Sequence, residues 1–359
     1  MVRRPSKRAW QILLSGVVVA GTFFFVLPQV ADFRQVWAAI VDMTWLEVTT
    51  LLVAAAWNIA SYLFVTVAVL PGLSYGQAFL VGQSSTAVSV ALPAGSVVGI
   101  GVTYSMYASM GRSGPEIALS TVLTGLWNTF VKLGLPIVAL AALALSGRSN
   151  SAQLGLAVLG LGVLAAAIVV FALMLRSSAF SHRVGTVAGS AVSTLRRLVH
   201  RVPVVGWGDA AVRFRSQTID VLRHRWLRLT IATLVSHLSL YVVLLLALRH
   251  MDVAAQQVTW AEALAAFAIV RLITVLPITP GGLGIVELAL TGALVLAGGP
   301  RAPVVAAVLV FRFLTLIVQV VLGGVCYLVW QNRSGGRTAQ PDAAVEPDAG
   351  VDPSVGVSP

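Results

Sequence analysis

Four ionisable side chains lie within long apolar segments of the sequence. Arg271, Glu287 and Arg312 belong to the last third of the chain, and Lys132 belongs to an apolar run in its first half. At the centre of a membrane-spanning helix an ionised group costs about 2.5 kcal/mol or more, so such residues are functional candidates. The planar guanidinium of arginine is well shaped to bind phosphate. We predict that these four residues contribute to a substrate-binding site for an anion.

The positions of Arg271 and Glu287 leave two interpretations open. Arg271 lies six residues before Pro277 and Glu287 lies ten residues after it. A chain that folds back at this proline would therefore bring both side chains to a similar depth. Either they form a structural ion pair that holds the bend closed, or they line a charged cavity that meets a lipid head group or exchanges a proton.

The segment between these two residues has the composition of an interrupted helix. Its prolines lack the backbone donor that a continuing helix needs, and its glycines permit dihedral angles that other residues avoid. A helix that resumes near Ile285 would point its partly positive N-terminal end into the protein, where it suits a phosphate. We expect this turn to gate the site, through Pro277, Pro280, Gly281, Gly282 and Gly284.

The composition determines which elements position these residues. Of 359 residues, 58% are hydrophobic and only 10% are charged, and the mean hydropathy is +0.90. Soluble domains have about a quarter of their residues charged. We therefore predict an all-α integral membrane protein, a polytopic bundle of helices that cross the bilayer.

Six apolar runs reach the length of about 20 residues that a bilayer span requires. Two further apolar regions, at about Gly76–Met110 and Glu262–Gly298, are interrupted in the middle. The six predicted spans are at about Trp10–Leu27, Trp45–Leu70, Ile117–Leu145, Leu154–Leu175, Leu229–Leu248 and Val304–Trp330.

The two interrupted regions resemble each other. Pro93 corresponds to Pro277 and Gly99 to Gly284, so the chain contains two repeats about 185 residues apart. The turn of the first repeat is predicted to involve Pro93, Gly95 and Gly99. The predicted divisions are a basic N-terminus at 1–9, a membrane domain at 10–330 and a disordered tail at 331–359. Within the membrane domain lie a first repeat at about 45–145, a basic amphipathic loop at 176–228 and a second repeat at about 229–330.

The charge distribution orients the chain. The loop at 176–228 has ten arginines against two aspartates, and basic loops mark the cytoplasmic side. Counting crossings from a cytoplasmic N-terminus places this loop and the C-terminus in the cytoplasm. The same count puts the first broken hairpin on the cytoplasmic side and the second on the outer side. The repeats are then inverted, with re-entrant helices, as in secondary transporters.

The basic loop itself has two interpretations. It forms amphipathic helices on an anionic lipid surface, or it is a connector that follows the charge bias. Nucleic acid is not an expected partner.

Motifs for catalysis are weak. The five histidines have no metal-ligand spacing, and the sequence contains no phosphate-binding P-loop. Ser84 in "GQSST", with His237 on another span, is the one arrangement that suggests an intramembrane serine protease; polar contact between helices is the simpler explanation. We expect no enzymatic activity, no metal and no cofactor.

The element "PGGLGIVE", Pro280 to Glu287, with its weaker partner "LPAGSVVGIG", resembles the membrane domain of the lysylphosphatidylglycerol synthase and flippase-like family. The resemblance covers about Trp10–Trp330. It implies an all-helical domain with two inverted repeats and re-entrant helices, and members that move aminoacylated phosphatidylglycerol between leaflets. It also implies that Arg312 belongs with this element. The first repeat departs from the pattern, with Ala94-Gly95-Ser96 where the second has two adjacent glycines.

Synthases of that family carry a large soluble catalytic domain after the membrane region, whereas this chain ends in a short tail, so we expect no aminoacylation. The expected function is translocation of an anionic phospholipid or lipid-linked precursor in a bacterial-type cytoplasmic membrane. The alternative is a scaffold that does not transport and instead recruits a separate lipid- or glycan-modifying enzyme. The expected partners are anionic membrane lipids and, under the alternative, that separate enzyme.

Overall fold

The computed structural model describes residues 37–38, 40–91, 95–145, 147, 151–198, 206–274 and 279–334. Several sequence predictions lie outside these residues: the basic N-terminus, the span at about 10–27, Pro93, Pro277 and the tail from residue 335 onwards.

All regular elements in this part of the chain are helical, as the composition predicts. The helices are α1 Trp45–Val69, α2 Tyr75–Ala91, α3 Gly95–Ser109, α4 Gly114–Leu145, α5 Ser151–Arg176, α6 Ser178–Leu198, α7 Trp207–His250, α8 Trp260–Ile273, α9 Ile285–Leu296, α10 Arg301–Arg312 and α11 Val318–Ser334. A 3₁₀ turn, Pro280–Gly282, precedes α9, and a π-helical segment, Phe313–Ile317, joins α10 to α11.

Five helical stretches are long and apolar enough to cross a membrane, and each overlaps one of the predicted spans. α10, the π-helical segment and α11 count here as one continuous stretch, Arg301–Arg333. α7 is the largest departure from the sequence prediction. At about 1.5 Å per residue its 44 residues extend roughly 66 Å, more than twice the hydrocarbon thickness of about 30 Å. It therefore continues without a break from the basic segment into the span predicted at Leu229–Leu248.

Short polar motifs set where several helices begin. In each, a Ser or Thr is followed three residues later by Glu or Gln, whose side chain accepts a hydrogen bond from the backbone of the first residue. Glu116 and Glu262, which lie near span ends, are both used in this way. The pairs are Thr44 and Glu47 before α1, Ser74 and Gln77 before α2, Ser113 and Glu116 before α4, and Thr259 and Glu262 before α8.

α1 and α7 form the central pair of the bundle and run antiparallel along each other. The amide of Asn58 on α1 donates to the carbonyl of Ser236 and the hydroxyl of Ser239 on α7, at 3.0 and 2.8 Å. Away from water such bonds hold helices together, because the polar groups have few other partners.

The remaining long helices pack in a crossed pattern. α2, the first arm of the first broken region, packs along α11, the last helix of the second half. α8, the first arm of the second broken region, packs along α4, the last helix of the first half. Each half of the chain thus places its long final helix against the broken region of the other half.

The first interruption is a tight hairpin of α2 and α3. A Cβ atom at Gly95 would collide with the backbone oxygen of Ser89, and one at Gly99 would collide with the Ser89 side chain. Gly95 is the first residue of α3, next to the turn, whereas Gly99 lies inside α3. The prediction that Gly99 belongs to the turn is therefore corrected: it lets the two arms approach each other closely.

The basic segment is a helical unit in which α6 packs against the first part of α7. Gly189 on α6 faces the side chain of Trp207, so the absence of a side chain there permits close contact. His182 Nε2 lies 3.7 Å from the Asp209 carboxylate. The N-cap of α7 is Gly206, with φ of 81°, and no side chain caps this end.

Candidate functional site

A polar cavity of about 240 Å³ lies where the two halves of the chain meet. Its walls come from α1, α2, α4, α7, α8, α9, α10 and α11 and from the segment that joins α10 to α11. Both broken regions contribute, α2 from the first and α8 and α9 from the second. The polar and ionisable lining residues are Asn58, Tyr62, Gln83, Thr86, Asn128, Ser236, His237, Arg271, Thr274, Arg312, Thr315 and Gln319.

Arg271 enters this cavity from the last turn of α8. Its Nη2 lies 3.5 Å from Nε2 of His237, and its Nε is shielded from solvent without a hydrogen-bond partner. Within the described part of the chain, no carboxylate lies within 4.0 Å of its guanidinium. Arg271 is thus a half-buried cation with no neutralising carboxylate among the described residues, the arrangement that favours an incoming anion.

The orientation of His237 fits this arrangement. Nδ1 of His237 lies 3.0 Å from the carbonyl oxygen of Thr233, one turn earlier in α7. Because a carbonyl only accepts, Nδ1 carries the proton and Nε2 presents its lone pair to Arg271. The ring is a neutral acceptor that helps to hold the arginine in place.

Arg312 has a different role from Arg271. Its Nε donates to Oε1 of Glu287 at 2.6 Å and its Nη2 donates to the carbonyl of Gly281 at 2.8 Å. The Glu287 side chain is only 1% exposed, and its Oε2 has no hydrogen-bond partner among the described residues. Of the two interpretations given for Arg271 and Glu287, the ion pair between them does not form, because Glu287 pairs with Arg312.

The turn residues adopt the conformations that glycine allows. Gly281, Gly282 and Gly284 have φ of 60°, 68° and 81°, in the left-handed region where side chains are strained. A Cβ atom at Gly281 would lie 2.9 Å from Val90 at the end of α2. The turn of the second broken region therefore touches the end of the first arm of the first one.

The partial positive charge at the N-terminal end of α9 is not left free to bind an anion in the cavity. Glu287 occupies the first turn of this helix, where a carboxylate complements the helix dipole. The expected phosphate site at Ile285 is thus already next to an anion of the protein. Val286 and Leu290 are the residues by which α9 lines the cavity.

Lys132 is half-buried on α4 and is not among the cavity-lining residues. Asn128, one turn earlier on α4, does line the cavity. Arg271 and Arg312 thus line the cavity, and its described lining residues include no carboxylate.

A second cavity lies on the other side of the Glu287–Arg312 pair. It has a volume of about 590 Å³ and an almost wholly apolar lining, which includes Leu51, Leu283 and Phe313. Arg312 borders both cavities, while Glu287 borders only this one. The ion pair is thus part of the wall between a polar and an apolar space.

Several lining residues had no place in the sequence prediction. His237 was considered only with Ser84, yet its two nitrogens face Thr233 and Arg271, and the buried Ser84 hydroxyl has no hydrogen-bond partner. The other polar residues that line the cavity could have been found from the sequence, because they interrupt otherwise apolar spans. Periodicity did not show which of them share a face.

The match to protein families agrees with this architecture. The model of the family described as "Lysylphosphatidylglycerol synthase TM region" matches residues 12–323, and no curated protein matches the chain. The matched range contains both broken helices, the basic segment, and the cavity with Arg271, Arg312, Glu287 and Lys132. The chain therefore belongs to the lysylphosphatidylglycerol synthase transmembrane-region family.

Proposed function

We propose that the protein translocates an anionic phospholipid or a lipid-linked precursor and binds its head group in the cavity at Arg271. The observation that carries the proposal is the half-buried Arg271 guanidinium, whose shielded Nε has no partner and which has no carboxylate within 4.0 Å in the described residues. A head-group phosphate supplies both the missing acceptor and the missing charge.

We also propose that the two halves are inverted repeats and that the broken regions are re-entrant. Ser74 and Gln77 begin α2, and Thr259 and Glu262 begin α8, at positions 185 residues apart, the same offset as between Gly99 and Gly284. The crossed packing of α2 with α11 and of α8 with α4 is what a pseudo-twofold relation between the halves requires.

The proposed cycle assigns different roles to the cations. Arg271 binds the phosphate, and Lys132 adds positive charge nearby. Arg312 holds the turn by its bonds to Gly281 and Glu287. Movement of the two broken regions at their contact, Val90 with Gly281, would open the cavity to one side and then to the other. The basic loop and both termini lie on the cytoplasmic side in this proposal.

The test is transport in liposomes that contain acyl-labelled phosphatidylglycerol or phosphatidylcholine. Wild-type protein is expected to speed the crossing of phosphatidylglycerol over protein-free liposomes. Arg271→Gln should slow it by roughly tenfold, the loss of a charge-assisted hydrogen bond. Arg213→Gln, at an exposed position of α7, is the matched control and should behave as wild type.

If a folded Arg271→Gln variant transports lipid like wild type, Arg271 is not the head-group binding residue and the proposed site is wrong. If wild-type protein speeds the crossing of neither lipid, the alternative is favoured: a scaffold for a separate lipid- or glycan-modifying enzyme.

A further inference from the structure

A groove distinct from the Arg271 cavity lies between α1 and α7, with a volume of about 470 Å³. Trp57, Phe64 and Ala68 line it from α1, and Tyr75 lines it from the start of α2. The opposite wall comes from α7. Its residues are Arg225, Arg228, Ile231, Ala232 and Val235.

The wall on α7 changes character along its length. Arg225 and Arg228 are three residues apart, so they lie on one face of the helix, about 4.5 Å apart along its axis. Ile231 and Val235 continue that face towards the apolar part of α7. The groove is therefore basic at one end and apolar along the rest.

The wall formed by α1 and the start of α2 can be oriented relative to α7. α1 runs antiparallel to α7, since Thr50 contacts His250 and Asn58 contacts Ser236. Tyr75 therefore lies towards the basic end of the groove and Trp57 towards the apolar end. Aromatic rings with a polar edge are typical of the membrane interface.

The aromatic wall is continuous. The ring of Phe64 lies 6.4 Å from that of Trp57 and 5.6 Å from that of Tyr75, centre to centre. Trp57 and Tyr75 are 52% and 53% exposed, so this surface has no other covering among the described residues.

The two arginines lack acidic partners. Within the described ranges, no carboxylate lies within 4.0 Å of either guanidinium. Basic side chains at the junction of the polar and apolar parts of a helix attract anionic lipid from the adjacent leaflet. The charge selects an anion, and the apolar groove selects an acyl chain attached to it.

We propose that this groove binds an anionic phospholipid of the leaflet on the basic side, with the phosphate on Arg225 and Arg228 and an acyl chain along Phe64, Ile231 and Val235. The site is separate from the transported lipid of the proposed function and does not depend on it. A lipid held there would tie α1 to α7 beside the basic unit of α6 and α7.

The test compares lipids that stay bound to the full-length protein after extraction from nanodiscs with equal amounts of phosphatidylglycerol and phosphatidylcholine, by native mass spectrometry. In an Arg271→Gln background, which removes the proposed cavity site, Arg225→Gln with Arg228→Gln should lower retained phosphatidylglycerol by roughly tenfold or more, because both arginines attract the anionic head group. Arg213→Gln with Arg223→Gln removes the same charge from exposed positions of α7 and should retain it.

A second variant tests the groove without changing charge. Ile231 is 51% exposed, so Ile231→Trp should leave folding intact while filling the space of the acyl chain. Its retained phosphatidylglycerol should fall as in the double arginine variant.

Normal retention in Ile231→Trp would mean simple attraction to a charged surface and would overturn the proposal. Equal retention by the two arginine pairs would overturn it as well. Arg271→Gln separates the two lipid sites, because it should leave the groove-bound phosphatidylglycerol in place even if transport fails.

Discussion

The Nε of Arg312 lies 2.6 Å from Oε1 of Glu287, across 25 residues of sequence and two helices. The carboxylate is 1% exposed and the arginine 13%, so the pair is nearly enclosed. The same arginine donates to the carbonyl of Gly281. One side chain thus fixes the turn of the second broken region to both α9 and α10.

Removing Arg312 should therefore destabilise the protein strongly. Arg312→Gln leaves the buried Glu287 carboxylate without its charged partner, and breaking such a pair costs about 3–5 kcal/mol. We expect a correspondingly lower free energy of unfolding, measured by denaturant titration in detergent. Arg312→Leu combined with Glu287→Leu removes both charges and should recover much of the loss. A double variant as unstable as the single one would show that the charge pair is not the cause.

Removing Arg271 should have the opposite effect on stability. Its Nε is buried without a partner, and such a donor costs about 1–3 kcal/mol. Arg271→Gln is expected to unfold at the same temperature as wild type or higher, while lipid transport falls. Thermal unfolding followed by circular dichroism measures this, with Arg312→Gln as the contrasting variant. A large drop in stability for Arg271→Gln would assign it a structural role.

The contact between the two broken regions predicts the effect of a methyl group at Gly281. Its φ of 60° is unfavourable for alanine by about 1–2 kcal/mol, and the new Cβ would lie 2.9 Å from Val90. Gly281→Ala should lower stability by more than the backbone strain alone. Adding Val90→Ala should restore part of the loss in a double-mutant cycle. Gly101→Ala, where a Cβ meets nothing within 4 Å, is the control. Additive effects of the two changes would argue against the contact.

The packing of α2 on α11 depends on one of two adjacent glycines. A Cβ at Gly323 would collide with the backbone of Gln83 and lie 2.6 Å from the Ala87 Cβ, whereas one at Gly324 meets nothing within 4 Å. We expect Gly323→Ala to cost about 1–3 kcal/mol through overpacking. Gly324→Ala should be neutral or slightly stabilising, because alanine favours helix. Thermal unfolding of the two variants side by side decides, and equal melting temperatures would contradict the close approach of these helices.

Hydropathy alone predicted much of the fold. The five described spans follow directly from apolar length, and the prolines and glycines marked both interruptions because they lack a donor or a side chain. The predicted repeat offset of 185 residues rests on Gly99 and Gly284, and Gly99 lies within α3 and not in the turn.

The sequence could not show which arginine meets Glu287. Arg271 and Arg312 lie 16 and 25 residues from it, and the choice depends on how α8 and α10 are rotated about their axes. Nor could it show that α7 has no break, because a helix continues through a change from basic to apolar surroundings as long as its backbone bonds are satisfied. The contact between His237 and Arg271 depends on how α7 and α8 pack against the rest of the bundle. The hydrophobic periodicity of a single sequence does not contain this information.

Because α7 is uninterrupted, one continuous helix connects the basic segment to the cavity. His237, beside Arg271, and Trp207, at the helix start, are thirty residues apart on one rigid rod, about 45 Å along its axis. A small tilt of such a rod moves its two ends in opposite directions by amounts that grow with distance from the pivot. A displacement of the basic end would therefore be transmitted along one unbroken helix to His237, the residue beside Arg271.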